Sequence, residues 1–445
     1  MEMQDLTAIE AARRMRDGEM TAEEYTAACL ARIEATEAQV QAWAHLDSEH
    51  ALEQARLLDQ VRQAGEPCGP LHGVPVGIKD IFDTRVLPTE NGTAIDAGRQ
   101  PDADARVVSL LREAGAVIMG KTVTTELAVY HPGKTRNPHN PDHTPGGSSS
   151  GSAAAVAAHM VPLSVGTQTN GSIVRPGAYC GVFGYKPTHG SISRHGGLVQ
   201  SPPLDTVGVY GNTLQDAALL ADVLAVYDER DPSMRPQARP QLLQLCESDP
   251  PLDPVFAFVK GPVWDQAEDE TKDAFAELAD FLGDRCREVT LPPPFDHAIA
   301  LHRTIMLGDF AKSFRRYYEK KDLLSDALTA MIEEGQGVLA ADYNTALDWV
   351  EVLNAGLDEI FETADAILTP AAPGTAPQGL DATGSPAFCT LWTLCGTPAV
   401  TLPLMQGENG LPMGVQLVGR RREDGRLLRS ARWLVERVEN AEGNE

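Results

Sequence analysis

The sequence predicts an α/β fold in which helices cover both faces of a twisted, mixed sheet. From about residue 74 to 220, short apolar runs typical of strands alternate with alanine-rich or amphipathic runs typical of helices. The strand-and-turn pattern returns at residue 366, and a helical run from about 425 to 440 follows. A chain of 445 residues with 42% hydrophobic residues is long enough to bury a large core. We therefore expect a single large α/β/α domain over residues 1–445.

The first segment, residues 1–66, is predicted to be helical. Thr21 and Glu24 have the spacing of a capping box, and apolar residues recur at helical spacing from Tyr25 onward. Alanine, glutamate and arginine fill the remaining positions, and a turn at 67–73 ends the segment.

Residues 67–220 and 366–445 are predicted to form the catalytic core. Val76 and Ile78 alternate with Gly77 and Lys79 as in a strand, so the Lys79 side chain points away from the valine face. The further predicted elements are a helix at 106–114, a strand at 116–120, a helix at 152–160, a strand at 163–166, a loop at 202–209, a helix from 213, and strands at 366–370, 398–403 and 414–418.

The segment 225–365 differs from the core in composition. Five prolines fall within residues 231–253, which predicts a long surface connection. A strand-like run at 255–259 and helices up to residue 361 follow, with little glycine and no catalytic motif. We expect this variable, mainly helical lobe to shape the substrate pocket.

Charge and hydropathy restrict the expected partners. The net charge of −26 opposes binding to nucleic acid or to an anionic membrane surface. No apolar run approaches the roughly 20 residues that span a bilayer, and the acidic first residues contain no apolar leader. We therefore expect no nucleic-acid partner, no membrane contact and a cytoplasmic location.

The cysteines and histidines do not indicate a disulfide framework or a metal site. The seven cysteines are scattered and form no C-x-x-C pair. His131, His139 and His143 lie in one proline-rich loop, but their spacing fits no common ligand pattern. We therefore expect neither a metal nor a cofactor.

Two glycine turns that carry serines are the main chemical signal. Ser148 follows Gly146-Gly147, Ser172 follows Asn170-Gly171, and an alanine-rich helix separates the two turns. A serine in such a turn presents its hydroxyl beside free backbone N–H groups, as a nucleophile with an oxyanion hole requires. By composition alone the first turn also fits a flexible linker or a phosphate cradle, but the P-loop pattern G-x-x-x-x-G-K-[ST] and the nucleophile elbow G-x-S-x-G are both absent.

Together with Lys79 in Gly73-Val-Pro-Val-Gly-Ile-Lys79, these turns resemble the amidase signature family, including the 24-residue step from Ser148 to Ser172. The resemblance implies a Ser–cisSer–Lys triad with Ser172 as nucleophile, Ser148 as bridging serine in a cis peptide and Lys79 as base. It also implies an oxyanion hole formed by the backbone N–H groups of Thr169, Asn170, Gly171 and Ser172. The base must be a neutral amine at working pH, which requires about 4–5 kcal/mol of environmental bias on an ordinary lysine.

Two departures from the family pattern concern the surroundings of Ser172. The turn reads Gln168-Thr-Asn-Gly-Ser172, and the arginine after the nucleophile stands one place later than usual, at Arg175. Both features look like the malonamidase-like branch, which implies that Arg175 binds a substrate carboxylate. A pairing of Arg175 with an internal acid is the alternative, and the sequence leaves both open.

The function that the resemblance implies is hydrolysis of a carbon–nitrogen bond, through an acyl-enzyme, in a small molecule. We expect a stand-alone amidase, with a small-molecule amide or carbamate as its partner and a homodimer as a possible assembly. A carbamate hydrolase (urethanase), an aryl-amide hydrolase or an ester hydrolase on the same triad is the alternative. The glutaminase component of a tRNA-dependent amidotransferase ranks last, because Gln168, Arg175 and the acidic balance disfavour it.

Overall fold

The computed structural model describes residues 2–442, which contain one eleven-stranded sheet with helices on both sides. The strands are β1 (Trp43–Leu46), β2 (Pro75–Lys79), β3 (Val117–Thr122), β4 (Leu163–Gln168), β5 (Phe183–Lys186), β6 (Thr206–Gly211), β7 (Phe256–Phe258), β8 (Cys286–Glu288), β9 (Ala366–Pro370), β10 (Ala399–Gln406) and β11 (Pro412–Val418).

The helices follow in the same numbering. They are α1 (Ala8–Asp17), α2 (Ala22–Val40), α3 (Ser48–Gln63), α4 (Arg106–Glu113), α5 (Ser150–Ala157), α6 (Val174–Cys180), α7 (Leu214–Leu224), α8 (Leu242–Glu247), α9 (Asp269–Leu282), α10 (Ala298–Ser313), α11 (Arg315–Tyr318), α12 (Asp326–Gln336), α13 (Ala340–Phe361), α14 (Ala387–Leu394) and α15 (Asp424–Glu442). Short 3₁₀ helices lie at Met3–Asp5, Ala94–Asp96, Glu126–Ala128, Trp264–Gln266, Gly283–Arg285, Pro293–His297 and Lys321–Leu323.

The sheet is mixed. Its strand order is β1-β3-β2-β4-β6-β5-β10-β11-β9-β7-β8. Strand β2 runs parallel to both β3 and β4, and β7 runs parallel to β8 and β9. The remaining neighbours are antiparallel. The predicted α/β class with a mixed sheet between helices is therefore confirmed.

Alternate residues of single strands enter two different apolar clusters, one on each face of the sheet. In β9, Ala366 and Leu368 belong to a cluster with the N-terminal helices, whereas Ile367 belongs to a cluster with α10, α12 and α13. In β7, Phe256 belongs to the first of these clusters and Ala257 to the second. Because successive side chains of a strand point to opposite faces, the two clusters are the two cores of an α/β/α arrangement.

The capping box predicted at the start of α2 is present. The Thr21 side chain accepts a hydrogen bond from the Glu24 backbone N–H, and the Glu24 carboxylate accepts one from the Thr21 backbone N–H. The prediction that residues 1–66 are entirely helical is wrong at β1, which pairs with β3 at the edge of the sheet. An edge strand of four residues between two helices is too short to give a readable alternation.

Two other segments differ from their predictions. The segment 202–209 is only partly a loop, because β6 begins at Thr206 and pairs with β4 and β5 in the sheet. The segment 225–365 contains the helices α8 to α13, but it also contributes β7 and β8 to one edge of the sheet. Its division from the core therefore stays a prediction. No helix within residues 2–442 combines the length and the apolar character needed to cross a membrane.

A buried ion pair joins β3 to the residue that follows β2. Lys121 Nζ lies 2.9 Å from Asp80 Oδ1, and the two side chains are 0% and 3% exposed. Lys121 also donates to Thr89 Oγ1 at 2.6 Å, and Asp80 accepts from the backbone N–H of Glu90. Asp80 therefore has its own cation and does not compensate Lys79.

We predict that Lys121→Met lowers the free energy of unfolding by about 3–5 kcal/mol, because it leaves the Asp80 carboxylate buried without a cation. Urea unfolding measures this loss. The double variant Lys121→Met/Asp80→Leu should be less destabilised than the single variant. Lys272→Met is the control, since its partner Asp269 is 98% exposed, and it should cost less than about 1 kcal/mol. Equal small losses in both single variants would contradict the prediction.

Candidate active site

Lys79 lies at the carboxyl end of β2, between β3 and β4 in the interior of the sheet. Its side chain is fully buried, and Nζ donates to Ser148 Oγ at 2.7 Å and to Thr167 Oγ1 at 2.9 Å. Burial lowers the pKa of Lys79 well below its ordinary value, and the charge of Asp205 opposes that shift. Among residues 2–442, two hydroxyl groups and no carboxylate contact the amine, so the neutral form is favoured.

Ser148 is held in a tight turn that requires both preceding glycines. The peptide bond between Gly147 and Ser148 is cis, and Gly146 has a φ of 82°. A Cβ on Gly146 would lie 2.8 Å from Pro176 Cα, and one on Gly147 would lie 2.7 Å from Thr383 Cγ2. The turn leads directly into α5, and its geometry points the Ser148 hydroxyl at Lys79.

Ser172 lies in the second turn, between β4 and α6, and is 9% exposed. Tyr210 Oη donates to its backbone carbonyl at 3.0 Å. Gln168 fixes the start of α6, because its Oε1 accepts from the backbone N–H groups of Ile173 and Val174 at 2.8 and 3.0 Å. A neutral amide oxygen at this position therefore accepts the N–H groups that open the helix.

The backbone carbonyls of this turn are occupied by donors from other elements. His302 Nε2 on α10 donates to Thr169 O at 2.9 Å, and Thr393 Oγ1 on α14 donates to Asn170 O at 2.5 Å. The Gly171 carbonyl accepts from the backbone N–H of Arg175 at 3.0 Å. Burial lowers the pKa of His302 to about 4, so the ring is neutral near pH 7 and its Nε2 carries the donated proton.

The backbone N–H groups of the same turn remain available. Those of Asn170, Gly171 and Ser172 donate to no acceptor among residues 2–442. Consecutive N–H groups without protein acceptors form a concavity that suits an oxyanion. The Asn170 side chain is fixed on both sides, since Nδ2 donates to Tyr130 Oη at 2.9 Å and Oδ1 accepts from Thr390 Oγ1 at 2.6 Å.

Asp205 links the turn to the neighbouring loop. Its carboxylate lies 2.6 Å from the Thr169 hydroxyl and accepts the backbone N–H groups of Gln200 and Ser201 at 2.9 and 3.0 Å. Burial raises the pKa of Asp205 to about 6, although these hydrogen bonds favour its charged form. Sequence reasoning missed Asp205, Thr167 and His302, because nothing in their spacing connects them to the serine turns.

Arg175 is buried to 1% exposure and contacts backbone carbonyls instead of a carboxylate. Its Nη2 donates to Gly147 O at 2.5 Å and to Thr383 Oγ1 at 3.2 Å, and Nη1 donates to Gly384 O at 2.7 Å. Its Nε has no partner among residues 2–442. The alternative of an internal acid partner is therefore not what the structure shows, and the binding of a substrate carboxylate by Arg175 stays a prediction.

The proline-rich histidine loop is fixed to the rest of the chain. His139 Nε2 lies 2.9 Å from Cys180 O, and His143 Nδ1 lies 2.7 Å from Ala376 O. Within residues 2–442, His45, Asp80 and Glu90 form one group spaced closely enough for a metal ion, but the Lys121 ammonium already contacts Asp80. The described cysteines are free thiols.

A family model described as amidase matches residues 24–428, so the chain belongs to the amidase family, and it is a hydrolase of the amidase signature type. It is 34% identical to a Glutamyl-tRNA(Gln) amidotransferase subunit of Chloroflexus aggregans, over 96% of this chain and 95% of that protein. It is 33% identical to the corresponding protein of Streptomyces coelicolor, which has the same name, over 95% of this chain and 94% of that protein.

The solved structures that it resembles include enzymes of different kinds. A structure of a vestigial protein complex, which bears on the origins of an s-triazine catabolic enzyme, matches with a TM-score of 0.90 and 27% identity, over 97% of this chain and 98% of that chain. The peptide amidase from Stenotrophomonas maltophilia matches with a TM-score of 0.85 and 28% identity, over 98% of this chain and 97% of that chain.

These findings correct two predictions. The prediction of a stand-alone amidase for a small molecule is wrong, because the curated relatives that cover nearly the whole chain are amidotransferase subunits. The prediction of no nucleic-acid partner is wrong for the same reason, since those relatives carry Glutamyl-tRNA(Gln) in their name. The net charge is a sum over the whole chain, whereas the attraction or repulsion of a nucleic acid depends on the charges near the contact surface. The sum also says nothing about the other components of a complex.

We predict that Arg175→Ala lowers the melting temperature and reduces activity on charged and neutral amides alike. The change leaves the buried carbonyl of Gly147 without this donor, at a cost of about 1–3 kcal/mol, and it removes the donor of the partly buried carbonyl of Gly384, which costs less. Thermal unfolding, with kcat/KM for a free-acid amide and its neutral analogue, measures both effects.

The control for this variant is Arg32→Ala, because Arg32 is only partly buried and its Nε donates to the single carbonyl of Ala158 at 2.7 Å. It should lose less stability. If Arg175→Ala kept its melting temperature and lost activity only on the acidic amide, a substrate-carboxylate contact would replace this structural account.

Proposed function

We propose that this chain is the amide-hydrolysing component of an amidotransferase that acts on Glu-tRNA(Gln), and that it releases ammonia from a donor such as glutamine. The match to the amidotransferase subunits over at least 95% of the chain supports the assembly. The observation that carries the chemistry is the 2.7 Å contact from the buried Lys79 amine to Ser148, next to a serine turn with open N–H groups.

In the proposed reaction, Ser172 Oγ attacks the carbonyl carbon of the donor amide. Its proton passes to Ser148 Oγ, and Ser148 passes a proton to the neutral Lys79 amine. The negative charge on the former carbonyl oxygen is stabilised by the N–H groups of Asn170, Gly171 and Ser172. These groups need no reorganisation, because the carbonyls of their turn are already fixed by other donors.

Collapse of the tetrahedral intermediate breaks the carbon–nitrogen bond. The Lys79 ammonium returns its proton through Ser148 to the leaving nitrogen, which departs as ammonia and leaves an acyl-enzyme on Ser172. A water molecule then attacks the ester, gives its proton to the same relay and releases the carboxylate. The net reaction consumes one amide and one water and yields one carboxylic acid and one ammonia.

The proposed assembly explains why one chain can hydrolyse the amide and still belong to a nucleic-acid enzyme. Hydrolysis needs only the interior site around Ser172, whereas transfer to an aminoacyl-tRNA requires that the RNA be bound next to the released ammonia. We propose that other subunits contribute to that RNA surface, because the relatives that match nearly the whole chain are named as single subunits of an amidotransferase.

We predict that the chain releases ammonia from glutamine and amidates Glu-tRNA(Gln) when it is isolated as a complex together with its copurifying proteins. Ser172→Ala should lower both rates by about 10⁴-fold or more, because no other proposed nucleophile remains. Coupled detection of ammonia and acid-gel analysis of the aminoacyl-tRNA measure the two rates.

Ser109→Ala is the matched control, since Ser109 lies on α4 and its hydroxyl donates to the carbonyl of Ala105, its one hydrogen-bond partner within residues 2–442. It should leave both rates within a factor of about two or three. Ammonia release that persists in Ser172→Ala would reject the assignment of the nucleophile. Amide hydrolysis by the wild type without any amidation of tRNA would reject the amidotransferase role alone.

A further inference from the structure

A cleft of about 650 Å³ lies beside the turn between β11 and α15, with the α13 helix as its other wall. We call it the arginine cleft, after four side chains that line it, namely Arg235, Arg420, Arg421 and Arg422. Its floor includes the end of α14, from Leu394 to Gly396. Thr393, one residue earlier on α14, contacts the Ser172 turn through the carbonyl of Asn170, so the end of this helix separates the cleft from that turn.

The arginines of the cleft outnumber its acids by two. Arg420 pairs with Asp358 through Nε at 2.8 Å and with Glu423 through Nη1 at 3.8 Å, and Arg421 Nη1 pairs with Glu351 at 3.2 Å. Among residues 2–442, Arg235 and Arg422 form no salt bridge, and both are exposed. Two guanidinium groups without an ion-pair partner among the described residues therefore lie in one cleft of a chain whose net charge is −26.

The charges of three guanidinium groups act on the carboxylate of Glu351, and one of these groups, on Arg421, binds it. The pKa of Glu351 is lowered mainly by its hydrogen bond from Arg421, with further contributions from the charges of Arg235 and Arg422. Arg235 and Arg422 are therefore close enough to Glu351 for their fields to act on it, although neither binds it. A second anion between them would meet preformed positive potential on several sides.

The neutral groups of the cleft are also suited to an anion. Ser191 and Ser233 line it, and neither hydroxyl proton is donated to an acceptor among residues 2–442. The His189 ring is neutral at pH 7, because burial lowers its pKa to about 4, and its Nε2 contacts Pro202 O. The cleft thus offers hydroxyl donors, and its histidine stays uncharged near pH 7.

We propose that the arginine cleft binds a phosphate group, carried either by a free nucleotide-like ligand or by an RNA strand. The two guanidinium groups without an ion-pair partner, Arg235 and Arg422, match the dianion of a phosphate monoester or two consecutive phosphodiesters, and guanidinium groups bind phosphate oxygens in a bidentate way. A single carboxylate would compensate only half of that charge. The inference goes beyond the proposed function, since the cleft contains none of the residues of the Ser172 site.

The test compares the wild type with Arg235→Gln/Arg422→Gln. Inorganic phosphate, at constant ionic strength with chloride as the reference, should raise the melting temperature of the wild type, because a ligand that binds only the folded state stabilises it. Calorimetric titration with phosphate should give a dissociation constant at least about tenfold weaker for the double variant. Arg85→Gln/Arg315→Gln is the control, as it removes two exposed arginines that form no salt bridge among residues 2–442, and it should bind phosphate like the wild type.

Two further probes identify the source of the phosphate. The cleft is assigned to an RNA strand if a short single-stranded RNA binds more tightly than AMP and if this binding is lost in Arg235→Gln/Arg422→Gln. The cleft is assigned to a free ligand if AMP binds as tightly as the RNA. Three results would each overturn the proposal. The first is equal phosphate binding by the wild type and both double variants, and the second is no binding of millimolar phosphate to the wild type. The third is citrate binding to the wild type as tightly as phosphate does. Ammonia release from glutamine is measured in parallel, and its failure would concern the Ser172 site and not the cleft.

Discussion

The arrangement of the proposed site depends on the burial of one amine without a counter-ion. Lys79 is carried into the interior by a strand with a neighbour on each side, and its Nζ contacts two hydroxyl groups instead of a carboxylate. An ammonium in that place would be costly, so the fold favours the neutral amine, which is the form that a base requires. The Gly147-Ser148 turn and the strand β4, which carries Thr167, both place a hydroxyl against this amine, and the charge of Asp205 acts on it.

Other buried cations of the chain are compensated in different ways, and the contrast supports that interpretation. Lys121 has a carboxylate at 2.9 Å, and Arg175 has carbonyl oxygens from two other segments. Lys186 donates to the carbonyls of Thr397 and Pro187, and burial lowers its pKa to about 8. A guanidinium stays charged and organises the backbone around it, whereas a lysine amine responds to its surroundings by losing its proton.

Much of the fold and the local geometry of the site could be predicted from the sequence, because short-range patterns determine them. The capping box before α2, the alternation in β2 and the glycines before Ser148 each depend on residues a few positions apart. The strand β1 is too short for such a pattern, and β7 and β8 join the sheet through pairings that sequence periodicity does not record. The contact of His302 with Thr169 joins residues 133 positions apart, so no local signal announces it.

The errors in function had a different origin. In the sequence, the position of Arg175 and the identity of Gln168 indicate a substrate class, but both residues also hold the backbone in place: Arg175 binds the carbonyl of Gly147, and Gln168 binds the first N–H groups of α6. The binding of a substrate carboxylate by Arg175 stays a prediction. Residues with such structural contacts carry little information about the substrate. The net charge misled in a similar way, because a sum over the chain conceals local surfaces such as the arginine cleft.

The protonation state of Lys79 is the most direct test of the proposed base. In protein labelled with ¹³C at the lysine ε-carbons, the Lys79 resonance is identified by its absence from Lys79→Met and then followed as the pH is raised. We predict that the titration of this resonance lies well below that of the exposed lysines, so that Lys79 is uncharged at pH values at which those lysines are still charged. A Lys79 resonance that titrates near the ordinary value of about 10.4 would contradict this, because the site would then contain a buried ammonium and no base.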